Sequence, residues 1–182
     1  MIARALDGIP RSLKLGDSMS DVLALVDVHP WIRRYVEVGS YEGGSILVLG
    51  LRFLNRDIDF YAVESFTGNL DGTADGLPLP SRQRFLDHLS RFPSLRVRLV
   101  PGDSVHAAAL FDDDSLDCVF IDGCHTTRAV LRDIDGWMPK LRRRAIIAGD
   151  DYDWDTVFEA VNARFSHVNI TQHGAIWWVR LN

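Results

Sequence analysis

The chain has 182 residues, 47% of them hydrophobic and 25% charged, which describes one globular domain, 1–182, with a single substantial core and no linker or second domain. A formal net charge of -5, with no basic run longer than Arg142-Arg143-Arg144, argues against nucleic acid as a partner. Nowhere do about 18 apolar residues run together, and Met1-Ile2-Ala3-Arg4 opens no apolar leader, so the expectation is a soluble cytoplasmic protein with no membrane partner.

The first element in chain order is a helix over 13–28, carried by Leu15, Met19, Val22, Leu23 and Val26, inside an N-terminal segment 1–30 that flanks or covers the domain. Pro30 stops it. A β-branched and aromatic run at 35–38 reads as a buried strand, followed at once by a glycine-bearing turn and a helix over 45–53. Further strands are expected at 59–63, 95–100, 116–121 and 145–148, with helices at 81–92, 104–110, 126–141 and 155–165 between them. Two last strands, 168–171 and 175–181, form a hairpin about Gly174. This alternation predicts an α/β fold with a mostly parallel sheet of seven strands, the last one antiparallel, and helices on both faces. The stretch 66–80, rich in Gly, Asp and Pro, is a long loop of the kind that carries function. Arg142 to Arg144 is read as following a helix C-terminus, where cations are favoured. The two cysteines, Cys118 and Cys124, suit a reduced compartment better than a disulfide framework.

Ligands of open parallel sheets bind beyond the carboxyl ends of the strands. Here those ends carry Glu37, Glu64, Asp103, Asp122 and the pair Asp150-Asp151, while the strands themselves are almost wholly apolar. Gly39 and Gly43 can take positive φ and let a ligand approach the backbone, and a buried carboxylate at Glu37 calls for a cationic or hydroxyl-bearing partner. Glu64, some 20 to 25 residues past the turn, is placed to accept hydrogen bonds from ribose hydroxyls. Tyr41 occupies the place of a dinucleotide fingerprint's second glycine, and Glu42 would repel a pyrophosphate, so the turn suits a cationic, phosphate-free nucleoside such as S-adenosylmethionine. Several positions stay open. Asp103 serves the adenine edge or caps the helix after it, and Asp150 and Asp151 bind a cation or cap the helix at 155. Tyr152 and Trp154 wall a pocket or belong to the core; Trp177 and Trp178 read as core and hairpin packing.

The runs Val36-Glu37-Val38-Gly39-Ser40-Tyr41-Glu42-Gly43-Gly44-Ser45, Phe120-Ile121-Asp122-Gly123-Cys124-His125 and Ile147-Ala148-Gly149-Asp150-Asp151-Tyr152 resemble the class I S-adenosylmethionine-dependent methyltransferases. Within that class they are similar to the metal-dependent O-methyltransferases of the catechol and macrocin types, and to the related cephalosporin hydroxylase-like proteins. The resemblance covers roughly residue 31 to the C-terminus. It departs from the pattern at Tyr41 and in a short N-terminal extension. It implies a Rossmann-like sandwich and a cofactor held by Glu37, Gly39, Ser40, Tyr41, Gly43, Ser45, Glu64, Ser65, Asp103, Ser104 and Asp122. It also implies a divalent metal, Mg²⁺ by its preference for carboxylate oxygens, on Asp122, Asp150 and Asp151. His125 and Asp122 are the catalytic residues so implied, His125 as general base toward a hydroxyl of a small-molecule acceptor. A homodimer is compatible with the chain. Three rivals fit some of the same residues: a nicotinamide oxidoreductase, a binding module that has lost turnover, and a cephalosporin hydroxylase-like role.

Overall fold

The computed structural model describes residues 18–68 and 78–182. The elements in chain order are α1 (Met19–Asp27), β1 (Arg34–Val38), α2 (Gly44–Arg52), β2 (Asp59–Glu64), α3 (Arg82–Ser90), β3 (Val97–Pro101), α4 (Ser104–Ala108), β4 (Leu116–Ile121), α5 (Thr127–Trp137), a 3-10 turn (Met138–Lys140), β5 (Leu141–Gly149), α6 (Asp155–Phe165), β6 (Thr171–His173) and β7 (Ile176–Arg180).

The strands make one seven-stranded sheet in the order β3-β2-β1-β4-β5-β7-β6. β1 to β5 pair in parallel, whereas β7 runs antiparallel to both β5 and β6. Successive side chains of a strand face opposite ways, and the apolar residues divide accordingly into two cores. Tyr35, Phe60, Phe120 and Ile146 pack under α1, α2 and α3. Val36, Val63, Val119 and Ile147 pack under α4, α5 and α6. A sheet covered on both faces needs strands that are apolar throughout, which is why the sequence shows apolar runs and not alternation.

Several boundaries differ from the sequence expectation for local reasons. α5 stops at Trp137, and Leu141 already belongs to β5, because Pro139 offers no N–H to continue the helix. Arg142 to Arg144 therefore lie in the first half of β5 and not at a helix end, where the β4–β5 register shifts between Leu116 and Cys118. Arg142 forms an ion pair with Asp117, a carboxylate only 1% exposed that also accepts from the amides of Arg33 (2.6 Å) and Arg34 (2.9 Å). The expected strand at 168–171 is reduced to Thr171–His173. Trp177 is fully buried, as expected of a core residue. Positions 13–17 of the first helix and most of the loop 66–80 lie outside the described residues. No helix among the described residues is long and apolar enough to cross a membrane.

Candidate active site

Strand register decides which acids become neighbours. Val38 of β1 pairs with Val63 of β2 and with Ile121 of β4, and Ile121 pairs with Gly149 of β5. One residue further along, Glu64, Gly39, Asp122 and Asp150 stand in a row across four adjacent strands, with Glu37 two residues deeper in β1. The alternation of the strands turns these carboxylates toward the side covered by α1, α2 and α3.

Gly39 holds this row together. At φ 87° it is left-handed, and a Cβ there would stand 2.0 Å from the carbonyl oxygen of Asp122. Only glycine lets the β1 turn lie against the end of β4. Gly43 (φ 86°) begins α2, and its amide donates to the Ser40 carbonyl at 2.7 Å.

Glu37 is 0% exposed, and neither carboxylate oxygen has a hydrogen-bond partner among the described residues. The Ser40 and Ser45 hydroxyls lie close enough to favour the anion without reaching hydrogen-bond geometry; Ser40 Oγ donates instead to the Glu37 main-chain carbonyl at 3.2 Å. Burial dominates and pushes the carboxyl up to about 7. Glu64 differs in being well satisfied. Its oxygens accept from the Tyr41 amide (2.8 Å), the Phe66 amide (2.9 Å) and, more weakly, Ser65 Oγ (3.4 Å). Its pKa is nonetheless raised, because burial outweighs these donors. The Tyr41 contact closes the turn onto the end of β2, with Tyr41 itself left-handed at φ 47°.

Other expected positions also make contacts within the fold. Glu42, the residue expected to repel a pyrophosphate, turns to α3, accepting from Arg84 Nε (2.7 Å) and the Ser81 amide (3.1 Å). Asp103 caps α4 through the amides of Val105 (3.2 Å) and His106 (3.3 Å). It also meets Arg132 Nη2 at 2.6 Å, a partner that sequence gave no means of finding. Partial burial works against the Asp103 anion, but Arg132 and the amides prevail and hold its pKa below the usual range. Ser104 Oγ accepts from Trp137 Nε1 at 2.9 Å. Below the β4 turn lies Asp133, a buried acid of α5 raised by desolvation to about 6.

The side chains that come together in the way a metal ion would need are not the three expected. Among the described residues, donor atoms of Asp122, His125 and Asp151 all lie within 4.8 Å of one another, and Asp150 is not of their number. Asp151 adopts φ 56°, which carries its carboxylate to 2.9 Å from His125 Nε2. Asp150 takes the other direction, accepting from the Asp151 amide at 2.9 Å and from Ser18 Oγ, which arrives from 132 residues away. Neither acid caps α6, whose N-cap is Trp154 with no capping side chain, so the capping alternative is ruled out. His125 is anchored through its carbonyl, which accepts from Thr156 Oγ1 at 2.6 Å, and its ring packs 4.8 Å from that of Trp154.

This arrangement has the parts for joining a cationic nucleoside to an acceptor: a glycine turn beside two buried acids, and an acid–imidazole cluster one strand away. The Methyltransferase domain family matches residues 36–152, from the middle of β1 to just past the Asp150-Asp151 pair. The chain belongs to this methyltransferase family. It is a class I S-adenosylmethionine-dependent methyltransferase, as the strand-end pattern and the resemblance led us to expect. No curated protein matches it in sequence. Among solved structures it is similar to the O-methyltransferase NovP, with a TM-score of 0.71 and 18% identity over 90% of this chain and 79% of that one. The cofactor-bound Rv0187 from MTB aligns at TM-score 0.65 and 20% identity over 100% and 88% of the two chains. The O-methyltransferase TomG from Streptomyces achromogenes, in complex with SAM, aligns at 0.66 and 16% over 100% and 86%. At these identities the likeness establishes a shared fold for the whole methyltransferase domain.

Proposed function

We propose that this methyltransferase methylates a hydroxyl of a small molecule, and that Asp122, His125 and Asp151 are the groups that act on that hydroxyl. The grouping of their donor atoms within 4.8 Å at the ends of β4 and β5 carries the reading.

S-adenosylmethionine, when bound, supplies a methyl group on a sulfonium whose departure as a neutral thioether needs no acid. The chain's task is then to hold the cofactor and to prepare the oxygen. Glu37 supports the fit for a cation: a buried carboxylate with no partner is costly, and a positive charge above the turn relieves it. Glu64 supports the fit for a ribose, since Oε2, engaged by the Tyr41 amide, keeps a second lone pair, and the second donor to Oε1, Ser65 Oγ at 3.4 Å, is weak enough to be displaced. The amides of Gly39, Ser40, Tyr41 and Gly43 already donate to Val63, Glu64 and Ser40, so toward the amino-acid end the turn would offer the Ser45 hydroxyl at the start of α2. Asp103 and Ser104, just past β3, would border the adenine side, with Asp103 held by Arg132 and Ser104 accepting from Trp137.

On the acceptor side, Asp122 and Asp151 with His125 would hold a divalent ion, which when bound would lower the pKa of the acceptor hydroxyl. Two carboxylates and an imidazole fit such an ion, and the nitrogen donor tilts the preference from Mg²⁺ toward Mn²⁺ or another first-row cation. With His125 on the ion, the acidified hydroxyl would lose its proton to water; the freed oxygen pair forms the new bond to the methyl carbon, and the carbon–sulfur pair returns to sulfur. A second reading is favoured by the His125–Asp151 pair at 2.9 Å: with no ion needed, His125 takes the hydroxyl proton while Asp151 orients the imidazole and supports its positive charge.

The test is methyl transfer from labelled S-adenosylmethionine to catechol and to simple sugars, with and without EDTA. Activity lost in EDTA and restored by Mn²⁺ or Mg²⁺ supports the metal. Activity kept in EDTA but lowered about 10² to 10⁴-fold by His125→Ala supports the unaided pair. Transfer to no hydroxyl compound refutes the reading.

A further inference from the structure

Trp154 breaks a local rule. It is the N-cap of α6 and makes no capping bond, at a position where Ser, Thr, Asp or Asn would stabilise the helix. Asp153 and Asp155 on either side show that an acid was within one residue of the place. The indole is also 39% exposed, so core packing does not account for it. One turn along the same side of α6, Phe158 is 50% exposed. Its ring lies 5.2 Å from that of Tyr152, and the Trp154 ring lies 4.8 Å from His125. The Trp154 amide donates to the Asp151 carbonyl at 2.9 Å, which ties the position of the indole to that of the acid cluster. Departures from local rules that stability does not explain are expected at working sites.

We infer that Trp154 and Phe158 form a platform for the acceptor, one that selects a hydroxylated ring: the flat apolar face of the ring rests on the indole while a hydroxyl at its edge reaches Asp122, His125 and Asp151. The inference rests on the hydroxyl-methylation reading of that cluster. Both an aryl ring and the C–H face of a sugar ring present the required surface. A second protein copy is the weaker occupant, because two side chains fall far short of the roughly 800 Å² that each partner of a stable complex buries.

The test compares wild type, Trp154→Ala, Trp154→Phe and Phe158→Ala on catechol, on methyl rhamnoside and on 1,2-propanediol, which carries hydroxyls but no ring. Cofactor affinity is followed by calorimetry, and the fold by thermal unfolding. Trp154→Ala should raise KM for the ring acceptor about ten- to a hundredfold, a larger effect than any fall in kcat from loosening His125, with cofactor affinity little changed. Trp154→Phe should recover most of that loss, which a purely structural role would not require, and Phe158→Ala should give a smaller rise. Which ring responds tells an aryl acceptor from a sugar. An unchanged KM in Trp154→Ala, or a wild type that uses the open-chain diol as readily as the rings, overturns the platform and leaves hydroxyl methylation standing. A wild type that binds the cofactor and methylates none of the three removes the reading and the platform together.

Discussion

Replacing Glu37 with glutamine keeps the size of a side chain that is 0% exposed and removes its charge. Burial raises the carboxyl from an ordinary 4.5 to about 7, so the folded protein holds this proton more tightly than the unfolded chain does. Below about 4.5 Glu37 is protonated in both states and costs nothing; above about 7 the folded protein carries a bare buried carboxylate. Its contribution is therefore fully favourable at low pH and is lost as pH rises through about 7. The interval from 4.5 to about 7, at about 1.4 kcal/mol per pH unit, comes to about 3 kcal/mol. Most of this, about 2–3 kcal/mol, develops between pH 5 and pH 8. Glutamine carries its own cost of about 1–3 kcal/mol for an unmet amide, but that cost does not change with pH. Glu64, Asp133 and Asp150, whose pKa values are also raised, titrate in both proteins and largely cancel from the comparison. The assay is thermal unfolding of the cofactor-free proteins at pH 5 and pH 8. The difference in Tm between Glu37→Gln and wild type should move in favour of the variant by about 5–10 °C on going to the higher pH. Saturating S-adenosylmethionine should return much of that difference to wild type, since a cation above the turn favours the ionised form. An equal Tm difference at both pH values would refute the argument, because it would mean that Glu37 titrates alike folded and unfolded.

Two further substitutions probe the row of strand ends. Gly39→Ala sets a methyl 2.0 Å from the Asp122 carbonyl oxygen at a φ of 87°, and should cost about 2–4 kcal/mol in urea unfolding; a loss under 0.5 kcal/mol would mean that the β1 turn and β4 are not in contact. Glu64→Ala should weaken cofactor binding by about 1.5–3 kcal/mol in calorimetry, and Glu64→Gln by less, because the amide oxygen still accepts from Tyr41; wild-type affinity in the alanine variant would remove Glu64 from the site.

The order of elements, the parallel sheet and the row of acids at the strand ends were legible in the sequence. The physical reason is that a sheet covered on both faces needs continuous apolar strands, which makes each acid that ends one conspicuous. Glycine at position 39 and the acid at Glu64 were legible for the same kind of reason, since each answers a constraint set within a few residues or by a single strand–turn–helix unit. Which carboxylates meet was not legible. Asp150 and Asp151 are adjacent and chemically identical, and it is the left-handed backbone of Asp151 that sends one to His125 while Ser18 takes the other. Arg84 for Glu42, Arg132 for Asp103 and the bulged start of β5 for the three arginines were decided in the same way. Each depends on the mutual placement of segments 29 to 132 residues apart or on the register of two strands. Such choices follow from the packing of the whole domain. Local propensity, which acts over a few residues, carries no record of them.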